Sequence, residues 1–262
     1  MTLQERLIQQ SHAIRSFPIL PVKNIVDQHQ LKVHDEVKTL KSNITEYLKP
    51  YVDLSDFEYL YPVNGITEAL NYWMWGESRT IQVRSGDYVW VGGETTGDVA
   101  YITCPTSYDG NFCDIPKDMP VVLDLAYILS TPIKKLEIGK NVERVFFSMS
   151  KCFGLRNYRI GYYWSRTPDR WLEPLHQSAK YYNYFSMSLG EKLIENIPID
   201  LVYKTLRPFQ SDICRELDLI PSDTVWLATS DDPIYSKFYR NYTNRLCISE
   251  LIKEKYYATI SN

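Results

Sequence analysis

The stretch FFSMSKCFGLRNYRIGYYW, residues 146–164, contains the most informative pattern in the sequence. A short apolar run ends in a Ser-x-Ser-Lys cluster, and a glycine, an arginine and a second strand-like run follow it. Burying an ammonium group costs free energy unless the group is paired or neutralised. Because Lys151 lies between two strand-like runs, we interpret it as a lysine with a chemical role.

The composition is that of an ordinary globular protein, with 262 residues, 44% of them hydrophobic and 23% charged. This length suffices for one large domain, or for one domain and a smaller one. The formal net charge of -3 argues against a general nucleic-acid-binding protein. The first residues, MTLQERLIQQ, lack the apolar core of a signal peptide, and no apolar run reaches membrane-spanning length. We therefore expect a soluble, cytoplasmic protein without a membrane partner.

The cysteines and histidines point away from disulfide and metal chemistry. The five cysteines form no C-x-x-C pair, which favours free thiols in a reducing compartment. The four histidines are scattered along the chain, which disfavours a zinc site.

Hydrophobic periodicity predicts an α/β protein. Thr2 and Glu5 form the pattern of a capping box for a first helix that would extend to Ile14. A second helix is predicted from apolar residues at steps of three and four, namely Val33, Val37, Leu40, Ile44 and Leu48. Strand-like runs follow at FEYLYPV, TIQVRS, YVWV, VAYITC, PVVLDLAY, RVFFSMS and RIGYYW.

Several of these runs are apolar on both faces, as expected for strands of a sheet that helices cover. From Asp169 the pattern becomes helical, and strands at TVWLAT and NRLCIS precede a last helix. The predicted fold class is α/β, a mostly parallel sheet covered by helices with a smaller α+β C-terminal region. The predicted units are an N-terminal helical segment (1–54), a large domain (55–180) and a small domain (181–262).

Two groups of candidate site residues follow predicted strands. Gly65, Ile66 and Thr67 lie at a strand-to-helix turn, where free backbone N–H groups favour a phosphate, although such a glycine can serve the turn alone. Asp124 ends an apolar strand, and Tyr127 follows it by three residues. Sheets of this class bind ligands at the carboxyl ends of their strands, although an aspartate there can also be a helix cap.

The other candidate site residues are one serine and several basic residues. Ser148, Lys151 and Arg159 place a hydroxyl, an amine and a guanidinium within twelve residues, and the strands on both sides disfavour a simple exposed loop. Arg245 opens a late apolar run and would need an acidic partner. That partner could be the carboxylate of a ligand or an acidic side chain in a structural ion pair. Arg240 is the other candidate for binding a ligand carboxylate.

The segment SMSKCFGLRNYRIGY resembles the cofactor-lysine signature of the class I/II aminotransferases, pyridoxal-phosphate enzymes of fold type I. The family pattern is Ser-x-Ser-Lys, then Phe-Gly-Leu, with an arginine eight places after the lysine and then a glycine. VVLDLAYI is similar to the family's Asp-x-x-Tyr strand, and NGITEAL resembles its phosphate-binding turn. The matches cover roughly residues 40 to 165 in the family's order.

The resemblance implies roles for the central residues. Lys151 would hold pyridoxal 5'-phosphate as a Schiff base and move the substrate α-proton, for which an amine needs a lowered pKa. Asp124 would keep the pyridine nitrogen protonated, and Tyr127 would hydrogen-bond the phenolic oxygen. Arg245 would bind the substrate α-carboxylate.

The remaining roles concern cofactor binding. The resemblance implies that the phosphate is bound by Gly65, Ile66, Thr67, Ser148 and Arg159. Tyr88 would stack on the ring, with Trp90 as the alternative. The substrates would be an amino acid and a 2-oxo acid, and a homodimer is expected because family members build each active site at a subunit boundary.

The sequence also departs from the family pattern. Ser107 stands where the family has an asparagine that contacts the phenolic oxygen, and Tyr108 replaces the following proline. A serine can still donate one hydrogen bond. The chain is also shorter than a typical member. Two alternatives to an aminotransferase therefore stay open: another fold type I reaction (decarboxylase, lyase or acyl-transferring synthase), and a cofactor-binding protein without turnover.

Overall fold

The computed structural model describes residues 2–10, 12–30 and 37–260. Helix α1 (Leu3–Gln9) begins with the predicted capping box. The side chain of Thr2 accepts a hydrogen bond from the Glu5 amide (3.1 Å), and the Glu5 carboxylate accepts one from the Thr2 amide (2.8 Å). The helix ends before Ile14, so extending it to that residue was wrong. Ile14 is buried in the extended segment that follows, because it packs into the core from there.

The next two helices lie on one side of the sheet. Helix α2 (Leu20–Asp27) was not predicted, and Pro21 occupies its first turn, where a missing N–H has no consequence. Helix α3 (Val37–Leu48) was predicted, and it buries Leu40, Ile44 and Leu48 in the core. Val33, the first residue of the predicted repeat, lies outside the described residues.

A six-stranded sheet forms the centre of the molecule. Its strands are β1 (Tyr59–Val63), β2 (Ile81–Val83), β3 (Val99–Thr103), β4 (Val121–Asp124), β5 (Val142–Ser148) and β6 (Gly161–Ser165). They lie in the order β1-β6-β5-β4-β3-β2. Strands β2 to β5 pair in parallel, and β6 runs antiparallel to both β5 and β1. The prediction of a mostly parallel sheet is confirmed.

One predicted strand has a different structure. The run YVWV forms a 3-10 helix, Val89–Val91, instead of a strand. Gly86 and Gly92 flank this segment with φ of 78° and 63°, in the left-handed region that favours glycine. The chain therefore turns on both sides of the segment, which leaves no room for an extended run.

The remaining helices pack around the six-stranded sheet and around a smaller, four-stranded sheet near the C-terminus. They are α4 (Ile66–Gly76), α5 (Met149–Cys152), α6 (Leu172–Gln177), α7 (Tyr184–Asn196), α8 (Leu201–Leu217) and α9 (Ser249–Ile260), with 3-10 turns at Ile128–Ser130 and Pro233–Phe238. An antiparallel sheet in the order β7-β8-β10-β9 contains β7 (Ile220–Pro221), β8 (Leu227–Ser230), β9 (Tyr239–Arg240) and β10 (Thr243–Cys247). The predicted α+β character of the C-terminal region agrees with this arrangement.

Packing joins these layers closely. In α7, a Cβ on Gly190 would lie 2.1 Å from the Tyr162 hydroxyl, so this helix packs directly on β6 of the large sheet. The domain boundaries at 54 and 180 stay predictions. Within the described ranges, no helix combines the length and apolarity needed to cross a membrane.

The topology positions the site. Strands β1, β3, β4 and β5 end at the same edge of the large sheet, and β6 begins there. The residues at or just after these ends include Gly65, Ser107, Asp124 and Lys151, which are far apart in sequence. A parallel sheet therefore brings together at one edge the groups that the motifs supply.

Candidate active site

A cavity of about 160 Å³ lies at this edge of the sheet. All ten residues predicted to bind a cofactor line it, namely Gly65, Ile66, Thr67, Tyr88, Ser107, Asp124, Tyr127, Ser148, Lys151 and Arg159. Thr103, Ala126 and Ser150 complete the lining. The residues come from separate segments of the chain, so their common location is a result of the fold.

Lys151 lies in the last turn of the short helix α5 and is half-buried. Burial lowers the pKa of its amine, and the positive charge of Arg245 lowers the pKa further. None of the ion pairs among the described residues includes Lys151. The surroundings of the amine thus favour its neutral, nucleophilic form.

Asp124 is 3% exposed at the carboxyl end of β4. Its Oδ1 accepts a hydrogen bond from the Ala126 amide (2.7 Å), and its Oδ2 accepts one from the Tyr101 hydroxyl. Burial raises the pKa of Asp124 to about 7, although both hydrogen bonds favour the ionised form. A cation bound beside this carboxyl would therefore stabilise the carboxylate.

The N-terminus of α4 faces the same cavity. Gly65 precedes the helix with φ of 84°, and no described side chain caps its first turn. A Cβ on Gly65 would lie 2.8 Å from Nη2 of Arg159, and a Cβ on Gly161 would lie 2.6 Å from the Gly65 Cα. Nη2 of Arg159 also donates to the Asn64 carbonyl (2.6 Å). Helix N–H groups and a guanidinium thus converge at a site suited to an anion.

Two serines of the Ser-x-Ser-Lys motif line the cavity differently. The Ser148 hydroxyl donates to the Ile160 carbonyl (3.0 Å) and accepts from the Ser150 amide (3.0 Å). The Ser150 hydroxyl is buried without a hydrogen-bond partner among the described residues. Sequence reasoning assigned Ser148 and missed Ser150. The repeated serine in the motif was the signal for it.

Tyr127 and Tyr88 supply the aromatic walls. Burial raises the pKa of Tyr127 to about 12, so its hydroxyl is protonated at neutral pH and can donate a hydrogen bond. Tyr88 is half-buried in the cavity wall. Trp90, the alternative for stacking, is 56% exposed, and its Nε1 donates to the Asn71 side chain (3.4 Å). Of this pair, Tyr88 lines the cavity and Trp90 does not.

Asp87 is a residue of this region that sequence reasoning missed. It is 2% exposed, and its Oδ1 accepts hydrogen bonds from the hydroxyls of Thr103 (2.6 Å) and Ser107 (2.6 Å). Its Oδ2 has no hydrogen-bond partner among the described residues. The Ser107 hydroxyl therefore donates its proton to Asp87 in this structure. Nothing in the run GDYVW distinguishes this aspartate from a turn residue.

Arg245 lies in β10 and is 5% exposed, but it does not line the cavity. Its Nη1 donates to the His12 carbonyl (2.8 Å), whereas its Nε has no partner in the described part of the chain. Its charge lowers the pKa of Lys151 and opposes the rise in the pKa of Tyr127. Its rival Arg240 is half-buried, and Nη1 of Arg240 donates to the Ser107 carbonyl (3.5 Å). Both arginines thus lie beside the cavity.

The similarity of this chain to known proteins lies in its fold. No protein-family model and no curated protein matches it. Among solved structures, histidinol-phosphate aminotransferase from Sinorhizobium meliloti, a complex with pyridoxal-5'-phosphate, is similar with a TM-score of 0.64 and 15% identity, over 97% of this chain and 96% of that chain. Histidinol-phosphate aminotransferase from Clostridium acetobutylicum is similar with a TM-score of 0.68 and 14% identity, over 94% of this chain and 97% of that chain. The chain has the fold of the class I/II aminotransferases.

The aminotransferase fold is not restricted to aminotransferases. L-threonine-O-3-phosphate decarboxylase from Porphyromonas gingivalis is similar to this chain with a TM-score of 0.58 and 13% identity, over 92% of this chain and 95% of that one. Fold similarity at such identities does not separate reactions, because the chemistry depends on the site. The fold type I architecture implied by the lysine motif is confirmed, and the reaction has to be argued from the cavity.

Proposed function

We propose that this chain is a pyridoxal-phosphate-dependent aminotransferase that moves an amino group between an amino acid and a 2-oxo acid. One observation carries the proposal. A lysine with a lowered pKa, a buried carboxyl and a helix N-terminus beside an arginine all line one cavity. The cytoplasmic location and the homodimer stay proposals that rest on composition and on the resemblance.

The residues present fit pyridoxal phosphate at each of its functional groups. The aldehyde requires an amine, which Lys151 supplies. The ring nitrogen, when protonated, would pair with the buried Asp124 carboxyl, whose ionised form a neighbouring cation stabilises. The phosphate matches the first turn of α4, where Gly65 leaves the space that a Cβ would fill, together with the Arg159 guanidinium.

The reaction would depend on proton positions that these residues control. When bound, the cofactor supplies an electron sink for the charge that develops at the substrate α-carbon. Lys151 would hold the cofactor covalently through Nζ and, once the substrate has displaced it, would take the proton from the substrate α-carbon. Asp124 would keep a proton at the ring nitrogen, and the Tyr127 hydroxyl would donate a hydrogen bond to the phenolic oxygen.

The other lining residues would position the cofactor. Arg159 and the amides of Ile66 and Thr67 would bind the phosphate, and the Ser150 hydroxyl, which has no partner among the described residues, is available for the same purpose. Ser148 would have to rotate its hydroxyl away from the Ile160 carbonyl to donate to the phosphate. Tyr88 would stack on the ring, because it is the aromatic residue of its segment that lines the cavity.

A half-reaction tests the proposal. We expect a panel of amino acids to convert the bound cofactor to its amine form, with a change in its absorbance and one equivalent of 2-oxo acid released. An amino acid with a methyl group in place of the α-hydrogen is the control, because it offers no proton to remove. Release of carbon dioxide instead would support the decarboxylase alternative, for which the Porphyromonas gingivalis neighbour is the precedent. An unreactive Schiff base would support binding without turnover.

Arg245→Lys tests the proposed carboxylate contact. A guanidinium can form two parallel hydrogen bonds with a carboxylate, and an ammonium cannot reproduce them. We expect the variant to keep the cofactor spectrum and to raise the KM for α-amino acids by about tenfold or more, which corresponds to the loss of one charged hydrogen bond. Amines without an α-carboxylate should be affected little.

Arg215→Lys is the matched control, since Arg215 is exposed on α8 and pairs with Asp212. It should leave the KM unchanged. An unchanged KM in folded, cofactor-loaded Arg245→Lys would place the carboxylate contact elsewhere, and Arg240 would be the next residue to test.

A further inference from the structure

Ser107 occupies the place of a hydrogen-bond donor, yet its proton is already used. Its hydroxyl donates to Oδ1 of Asp87 at 2.6 Å, and its amide donates to Oγ1 of Thr103 at 2.8 Å. A serine hydroxyl has one proton and two lone pairs. Ser107 therefore presents only lone pairs to the cavity that it lines.

Asp87 is placed to keep that arrangement. Its Oδ1 accepts four hydrogen bonds, from the Thr103 hydroxyl (2.6 Å), the Ser107 hydroxyl (2.6 Å), the Tyr88 amide (2.9 Å) and the Ser107 amide (3.3 Å). All three donor residues line the cavity. The carboxylate thus fixes both the hydroxyl orientation of Ser107 and the backbone of the ring-stacking candidate Tyr88.

We propose that Asp87 is a positioning residue that turns the lone pairs of the Ser107 hydroxyl, and not its proton, toward the phenolic oxygen of the cofactor. This inference rests on the proposed function. A donor at that oxygen stabilises the anionic phenolate and so favours loss of the Schiff-base proton. Lone pairs backed by a carboxylate disfavour negative charge on that oxygen, so the Schiff base on Lys151 keeps its proton to a higher pH.

Other charged and titratable groups act on the same region. Those whose electrostatic interactions include Asp87 are Arg84, Tyr101, Cys113, Asp124 and Arg240. Arg245 also acts electrostatically on both Lys151 and Tyr127 beside the cavity. The two arginines near Asp87 oppose its effect in part. Because all of these groups remain in each variant below, their contributions cancel in a comparison between variants.

The experiment is a pH titration of the visible absorbance of the cofactor-loaded protein, which reports the Schiff-base proton without turnover. Asp87→Asn keeps an oxygen that can accept from Ser107 but removes the charge. We expect it to lower the titration midpoint by roughly 1 unit, about a tenfold loss of proton affinity. Asp118→Asn, which changes an exposed aspartate before β4, is the matched control and should leave the midpoint unchanged.

Ser107→Ala tests the orientation of the Ser107 hydroxyl, because the direction of the change in the titration midpoint differs between the two orientations. Loss of lone pairs that face the phenolic oxygen lowers the midpoint, whereas loss of a hydrogen-bond donor to that oxygen raises it. A raised midpoint in Ser107→Ala, or an unchanged midpoint in Asp87→Asn, would overturn the inference. If Asp87→Asn does not fold, Ser107→Ala alone still gives the sign, since it removes one hydroxyl. A wild-type protein that shows no visible Schiff-base band would instead contradict the proposed function.

Discussion

Lys151→Ala is expected to lower kcat by about 1000-fold or more, because the variant loses both the covalent attachment and the group that moves the α-proton. The cofactor should still bind weakly, since the contacts of Arg159 and the N-terminus of α4 remain. Absorbance spectra should show the free aldehyde form instead of a Schiff base, and single-turnover kinetics would measure the loss.

Chemical trapping supplies the second half of this test. Borohydride should fix the cofactor to Lys151 in the wild-type protein, and peptide mapping should find the reduced adduct there. Lys192→Ala removes an exposed lysine of α7 and serves as the control, with unchanged trapping and turnover. Recovery of the adduct on another lysine would show that the cofactor lysine has been misassigned.

Asp124→Asn is expected to lower kcat by about 100-fold or more, which is typical of the loss of an electrostatic contact made mainly in the transition state. The amide cannot hold a proton at the ring nitrogen, so the ring accepts negative charge less well. Cofactor binding should persist through the phosphate contacts. Steady-state kinetics with the cofactor in excess would measure the effect, and Asp118→Asn is the matched control.

The cofactor-free protein offers an independent measurement on Asp124. Burial raises the pKa of this carboxyl from 3.8 to about 7, so between these values the folded protein binds a proton that the unfolded chain has lost. This group therefore makes the fold less stable as the pH rises from about 4 through 7. The asparagine side chain of the variant does not titrate. Consequently, the free energy of unfolding of Asp124→Asn should rise relative to wild type over this window, as followed by chemical denaturation.

A constant stability difference between the two proteins from about pH 4 to about pH 8 would mean that the carboxyl is not held in the buried state described. Near-normal turnover of Asp124→Asn with intact cofactor binding would mean that another acid protonates the ring, or that the reaction does not need a protonated ring.

The sequence by itself determined the fold class and the candidate residues that the fold brings to one cavity. The Ser-x-Ser-Lys cluster, its arginine eight residues later and the Asp-x-x-Tyr strand are each short motifs that can be read locally. The order of the apolar runs predicted a mostly parallel sheet, and such a sheet places successive strand ends at one edge. For this reason the motifs alone place Gly65, Asp124 and Lys151 at the same edge of the sheet.

Only the tertiary structure decided the hydrogen-bond partners of these residues. The bond from Arg245 to the His12 carbonyl joins residues 233 positions apart, and the bond from Ser107 to Asp87 joins different loops. Neither contact leaves a periodic or local pattern in the sequence, because it depends on how separate elements pack. The hydrogen bond from the Ser107 hydroxyl to Asp87 is therefore a property of the packed molecule and not of its motifs.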